Sequence, residues 1–225
     1  MAGKRVRSTA PLPLPRAALA TLRRSDPAFG RLISKVGPYE LPGRNPDGHL
    51  AALLRAIVYQ QLSGKAAATI FGRLRALFSS SEFPTAAQLN GKTDQELRAC
   101  GLSTQKLSYV RDLAARAGDG RLSFVDLEEL ADEAVIARLV SVRGIGRWSA
   151  EIFLMFHLGR LDVWPADDLG IRKAVGMLHA LPELPSAREL PALGERYRPY
   201  RSVASYYLWR LLDLPPDEQA RIISP

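Results

Sequence analysis

The chain has 225 residues, 47% of them hydrophobic, enough to bury a sizeable core in one domain but short for two large ones. Its formal charge is +8, with Lys and Arg spread along the whole length, a field that favours polyanionic partners, nucleic acid above all. The single cysteine, Cys100, excludes intramolecular disulfides, four-cysteine zinc sites and cysteine-held iron–sulfur clusters, and points to an intracellular protein.

The chain opens with MAGKRVRSTAPLPLPRAA, which is basic and proline-rich and lacks the apolar core of a signal peptide. Residues 1–20 are therefore expected as a flexible arm ahead of one domain over 21–225, and with no apolar run near bilayer length no membrane association is expected. In GHLAALLRAIVYQQ, Leu50, Leu53, Leu54, Ile57 and Val58 recur at helix spacing and give one apolar stripe. Ser63 and Gly64 break that helix and can cap a second, KAAATIFGRLRALF. TDQE at 93–96 and SARE at 186–189 read as capping boxes, each opening a further short helix. Leu107, Val110 and Ala114 stripe TQKLSYVRDLAARAG, which the glycine of GDGRL ends. Period-two alternation with hairpin turns never extends beyond a few residues, so the expectation is an all-α bundle of about eight to ten short helices.

Between two apolar stretches, AVIARLVS and EIFLMFHL, the segment VRGIGRWSA (142–150) breaks the pattern with Gly144 and Gly146. One helix ending near Ser141 and another beginning near Arg147 would expose the second helix's amides beside residues without side chains. A phosphate can approach such a turn, with Arg147 and Ser149 as further donors. A plain helix–helix turn, in which the glycines only relieve strain, accounts for the spacing equally well. The basic charge is what favours phosphate.

Downstream, in LDVWPADDLGIRKAVGML, Pro165 stops one element while Ile171, Val175 and Leu178 stripe the next helix, which puts Asp167 and Asp168 at its start. Asp is a standard N-cap and suits the positive end of the helix dipole. The same place suits a catalytic carboxylate, because a side chain there points out of the packed body. Spacing does not choose between the two. Trp148, Trp164 and Trp209 all lie in the second half. On the C-terminal helix Ala204, Leu208 and Leu211 form the core stripe, about 100° from Trp209, which leaves Trp209 to face a cavity. An aromatic on a helix is more often core than pocket, but three tryptophans near an anion-binding turn and an acidic helix start fit stacking on an everted base.

Taken in order, VRGIGRWSA, DVWPADDLGIRK and RPYRSVASYYLWRLL, with AIVYQQLSGKAAATI upstream, closely resemble the helix-hairpin-helix DNA glycosylases. The resemblance spans 47–212 and is strongest to the bacterial 3-methyladenine DNA glycosylase II branch. It implies an all-α, bilobed helical bundle with a helix-hairpin-helix motif and an active-site cleft between the lobes. It implies a monomeric base-excision-repair enzyme, cytoplasmic and held on the nucleoid by DNA, that flips alkylated bases out of double-stranded DNA and hydrolyses the N-glycosidic bond. On this resemblance Gly144 and Gly146 hold the DNA backbone, and the carbonyls of Val140, Val142 and Ile145 can hold Na+ or K+, with no cofactor required. Asp168 falls on the catalytic position with Asp167 beside it, and Trp148 and Trp209 match the base pocket. Gln60, Gln61 and Leu62 match the loop that inserts into the duplex, with either Gln61 or Leu62 as the inserting residue.

Cleaving a glycosidic bond develops positive charge on the deoxyribose, which a carboxylate stabilises while orienting or deprotonating water. A base methylated at N3 or N7 is cationic and leaves as a neutral molecule, so no strong general acid is needed; His49, His157 and His179 are expected to be structural or solvent-facing. In relatives that also cut the backbone, a lysine on the second hairpin helix forms a Schiff base with the sugar. Trp148 stands there and cannot act as that amine, which implies a monofunctional glycosylase; Lys173 is too far along the next helix to substitute. Larger members of the branch carry an N-terminal β-rich domain, expected to be absent here and to leave a more open site. Two other classes stay in view. A glycosylase for deaminated or mismatched bases would need an acid, for which only Asp167 offers itself, and a non-catalytic DNA-binding module would use Asp168 as a cap alone.

Overall fold

The computed structural model describes residues 14–39, 45–78 and 83–223. Among them there are thirteen α-helices, one π-helical turn and one 3-10 turn, and no strand. The all-α expectation holds, but the helices outnumber the eight to ten expected, because pieces as short as the five residues Ala86–Asn90 stand as helices of their own. The described chain forms two compact units, one of residues 45–153 and one of residues 14–39 with 154–223. Among the described residues no helix is long and apolar enough to cross a membrane.

The first two helices, α1 (Arg16–Ser25) and α2 (Pro27–Val36), meet at Asp26, whose carboxylate caps α2 by accepting the amides of Ala28 and Phe29 at 2.8 and 3.3 Å. Residues 16–20 thus belong to a helix and correct the expected arm, since Ala18 and Leu22 are fully buried and fix α1 to its unit. Residues 1–13 of that expected arm lie outside the described residues.

The contiguous unit holds α3 (His49–Tyr59), α4 (Gly64–Ala76), α5 (Ala86–Asn90), α6 (Asp94–Ala99), α7 (Thr104–Gly118), α8 (Asp132–Val140) and α9 (Arg147–Phe153). The expected stripe of α3 is buried through Leu53, Leu54, Ile57 and Val58, and α3 packs against α4, α7 and α9. Ser63 caps α4 as its sequence predicts, accepting the amide of Ala66. Both halves of the box at 93–96 form, and a second box, Thr85 with Gln88, starts α5.

The other unit continues with the π-helical turn Leu154–Leu158, then α10 (Leu169–Leu178), α11 (Leu190–Gly194), the 3-10 turn Glu195–Tyr197, α12 (Arg201–Asp213) and α13 (Pro216–Ile223). Ala204, Leu208 and Leu211 are fully buried on α12, as the stripe predicts. They join a core in which the buried Tyr197 ring lies 4.8 Å from Phe29 and its hydroxyl 2.9 Å from His179 Nε2. The box at 186–189 makes its reciprocal bonds, Ser186 N to Glu189 at 2.8 Å and Glu189 N to Ser186 at 3.3 Å, but a turn intervenes and α11 begins only at Leu190. The histidines take structural places: His157 is buried, and His49 lies against Phe124 and Phe153 at 5.7 and 6.1 Å.

The box that opens α6 makes an acid-sensitive contact. The Thr93 amide foremost, then Lys92, hold the Glu96 carboxyl down to about 2 from its ordinary 4.5. A depressed acid contributes stability above its unfolded value and loses it as pH falls through the folded one. Urea unfolding of wild type and Glu96→Gln across a pH series should therefore show a stability difference that is constant above pH 4.5 and shrinks progressively toward pH 2. A difference that ignores pH would place the contribution in the uncharged hydrogen bonds alone.

Candidate functional site

Asp168 is the N-cap of α10. Its Oδ1 accepts the Ile171 amide at 2.8 Å, and the backbone reaches that point through a turn in which Asp168 N–H donates to the Pro165 carbonyl at 3.0 Å. The same Oδ1 accepts the Trp209 indole N–H at 3.1 Å from α12. The segment leading in is pinned to the start of α12: Arg201 Nε donates to Asp162 at 2.8 Å, and the Ser202 hydroxyl accepts the Val163 amide at 2.9 Å. Gly170 keeps the indole contact uncrowded, because a Cβ there would lie 3.0 Å from Asp168 Oδ1 and 3.3 Å from Trp209 Nε1. Phe156, on the π-helical turn, supports the same indole, with ring centroids 5.8 Å apart. Asp167 is exposed and Asp168 half-buried. A carboxylate held by an amide and an indole at a helix start can stabilise a cation developing beside it.

The glycine turn sits in the contiguous unit. Helix α8 ends at Val140, α9 begins at Arg147, and Val142 and Ile145 anchor the turn by burying their side chains, with Ile145 N–H donating to the Val142 carbonyl at 3.1 Å. The first bond shown inside α9 runs from the Ala150 amide to the Gly146 carbonyl. Earlier amides of α9 therefore point forward from its start. Gly144 has φ +84°, and a Cβ on it would come within 2.2 Å of the Tyr109 ring. Gly146 differs, since a Cβ there would meet nothing within 4 Å. Its bare backbone answers to no internal neighbour. The turn is braced from outside: the Arg143 amide donates to Asp112 at 2.7 Å, and Gln60 Nε2 donates to the Gly144 carbonyl at 2.8 Å. Burial works against charge on Asp112, but the Arg143 amide and Arg116 outweigh it and lower its carboxyl pKa.

The structure brings Asp168 and Trp209 into direct contact, and Gln60 with Gly144. Arg147, the expected phosphate donor, is engaged with two glutamates of its own unit. Its guanidinium forks onto Glu133 and its Nε donates to Glu151 at 3.0 Å, so it clamps the turn's two helices together. Ser149 is half-buried in the first turn of α9, while Trp148 is 44% exposed beside it. Gln61 and Leu62 are both exposed after α3, Gln61 with a left-handed φ of 54°. Trp164 departs from the pocket reading, because its ring is buried and its indole N–H donates to the Leu190 carbonyl at 2.9 Å. Among the described residues no group of three or more His, Cys, Asp or Glu could hold a metal. Sequence reasoning missed Gly170 and Phe156. The first carried a signal, since a glycine inside a helix costs about 1 kcal/mol and asks for a packing reason.

A family model described as HhH-GPD superfamily base excision DNA repair protein matches residues 54–199. The DNA-3-methyladenine glycosylase 1 of Schizosaccharomyces pombe is 36% identical over 188 residues, covering 82% of this chain and 82% of that protein. The solved structure of 3-methyladenine DNA glycosylase from the same yeast, in complex with abasic DNA, is similar with a TM-score of 0.79 at 35% identity, covering 88% of this chain and 97% of that one. A DNA-3-methyladenine glycosidase from Bacillus halodurans is similar with a TM-score of 0.76 at 35% identity, covering 86% and 88%.

The two glycines of the turn should respond differently to one methyl group. Gly144→Ala meets both the Tyr109 ring and a left-handed φ, and should lower stability by about 2 kcal/mol or more in urea unfolding. Gly146→Ala should unfold within about 0.5 kcal/mol of wild type. Equal losses at the two positions would contradict this division.

Proposed function

We propose that this chain, which belongs to the HhH-GPD superfamily of base excision DNA repair proteins, is a monofunctional glycosylase that flips alkylated bases of the 3-methyladenine and 7-methylguanine type out of double-stranded DNA. The observation that carries the reading is the Asp168 carboxylate, fixed at the start of α10 by the Ile171 amide and the Trp209 indole. A group oriented in advance needs no reorganisation when the sugar becomes cationic, and Asp168 then stabilises the oxocarbenium-like sugar and activates the attacking water. A cationic methylated base departs neutral, which fits a site built on a carboxylate and aromatic faces. Trp209 and the surface-exposed Trp148 are the base-contacting aromatics of this reading.

The DNA backbone lies against the turn at Gly146, where an added Cβ would meet nothing within 4 Å among the described residues, with the amides at the start of α9 and Ser149 as donors. The Val140, Val142 and Ile145 carbonyls suit Na+ or K+, being hard oxygen donors; the Val142 carbonyl already accepts the Ile145 amide and has a second lone pair to offer. Such a cation would supply positive charge toward a phosphate. Trp148 in place of an amine nucleophile supports hydrolysis without strand cleavage. The enzyme acts as a monomer in the cytoplasm, on the nucleoid.

The deciding assay is chromatographic release of free 3-methyladenine and 7-methylguanine from methylated duplex DNA at matched DNA occupancy. Asp168→Asn retains a strong N-cap for α10 but lacks the charge, so release should fall by roughly a hundredfold or more while the fold persists. Wild type that binds DNA and releases no base would leave a binding module or another lesion. Gly146→Ala should weaken duplex binding about fivefold, read by fluorescence anisotropy. Borohydride trapping during turnover should give no covalent protein–DNA adduct, and an adduct would overturn the monofunctional assignment.

A further inference from the structure

The loop between α3 and α4 is held by a polar strut that the reaction itself does not use. Helix α3 ends at Tyr59, where its last carbonyls lack helical donors. Lys106 Nζ, from the first turn of α7, donates to the Val58 carbonyl at 2.6 Å and the Gln60 carbonyl at 2.7 Å. Gln60 passes the connection on, with its Nε2 on the Gly144 carbonyl at 2.8 Å. One turn beyond Lys106, the Tyr109 ring packs into the space that Gly144 leaves. Gln61 then takes a φ of 54°, a region that L residues rarely adopt, and Leu62 is exposed ahead of the Ser63 cap. The loop borders a cavity of about 290 Å³ lined in part by Gln60, Gln61, Leu62, Lys106, Tyr109 and Gly144, so packing alone does not support its strained backbone. Burial works against the charge on Lys106 and lowers its pKa, so the two carbonyls hold a partly desolvated ammonium.

Resting on the glycosylase reading above, we infer that Lys106 is a positioning residue for duplex insertion, tying the loop of Gln61 and Leu62, through Gln60, to the Gly144 hairpin. Grip on the backbone and insertion into the helix are then one device. Gln60, which the resemblance grouped with the inserting residues, is the link between them rather than part of the tip.

The test uses the full chain and a duplex with 2-aminopurine opposite a tetrahydrofuran abasic analogue, at protein concentrations where anisotropy shows equal occupancy. Wild type should change the 2-aminopurine fluorescence on binding. Lys106→Met should give a change about fivefold smaller at the same occupancy, the scale of losing a charged hydrogen bond. Lys106→Arg, which can still donate to both carbonyls, should restore at least half of it, and Gln60→Glu, which sets a carboxylate against the Gly144 carbonyl, should lose it. If thermal melting shows Lys106→Met to be unfolded, the Arg and Glu variants carry the comparison. A full signal in Lys106→Met or Gln60→Glu, or no signal in wild type, overturns the inference. Base release by the same wild-type preparation is scored separately, so a failed glycosylase reading is distinguishable from a failed strut.

Discussion

Asp168 Oδ1 accepts two hydrogen bonds at once, one from the first turn of its own helix and one from an indole on another helix. Each fixes a different degree of freedom: the amide sets the carboxylate against the axis of α10, and the indole sets its rotation. Much of the surrounding unit exists to deliver those two donors. Asp162 and Ser202 tie the incoming segment to α12, the α12 stripe buries Ala204, Leu208 and Leu211, and the π-helical turn brings Phe156 behind the indole. Gly170 eases the fit, since a Cβ there would make the carboxylate and the indole give by a few tenths of an ångström.

The hairpin shows the same logic with the roles divided. Gly144 is required by the protein's own interior, since the Tyr109 ring occupies the place of its side chain. Gly146 borders open space and is unconstrained from within. A sequence motif of two glycines thus joins one residue that folding demands to one that no packed neighbour among the described residues demands. Arg147, next in line, also serves the fold: both terminal nitrogens of its guanidinium bond Glu133, and its Nε bonds Glu151.

Much of this was legible in the sequence because it rests on local rules. Apolar spacing located α3, α7 and α12, side-chain chemistry located the caps at Ser63, Thr93 and Asp168, and the order of the motifs pointed to the family. What was hidden depends on partners distant in the chain. Nothing local says that Arg147 will find Glu133, that Gln60 will turn toward Gly144 84 residues away, or that Trp164 will be buried with its indole on Leu190. The helix count came out low for a different reason: a piece as short as α5 is too brief to show a periodicity. The left-handed Gln61 was unreadable because Gln carries no preference for that conformation.

The unit that carries Asp168 is drawn from both ends of the chain, residues 14–39 and 154–223, while the hairpin unit is one uninterrupted stretch. Its closing contacts are correspondingly remote: Arg31 bonds the Ile222 carbonyl across 191 positions, and Tyr207 bonds the Gly37 carbonyl across 170. Synthesis runs from the N-terminus, so on the ribosome every residue of the hairpin unit is present before α12 and α13 have been made. Asp168 gains its indole partner only when Trp209 has been made, after the whole hairpin unit. In the function proposed above, the order of assembly therefore places the surface that holds DNA first and the group that breaks its bonds last.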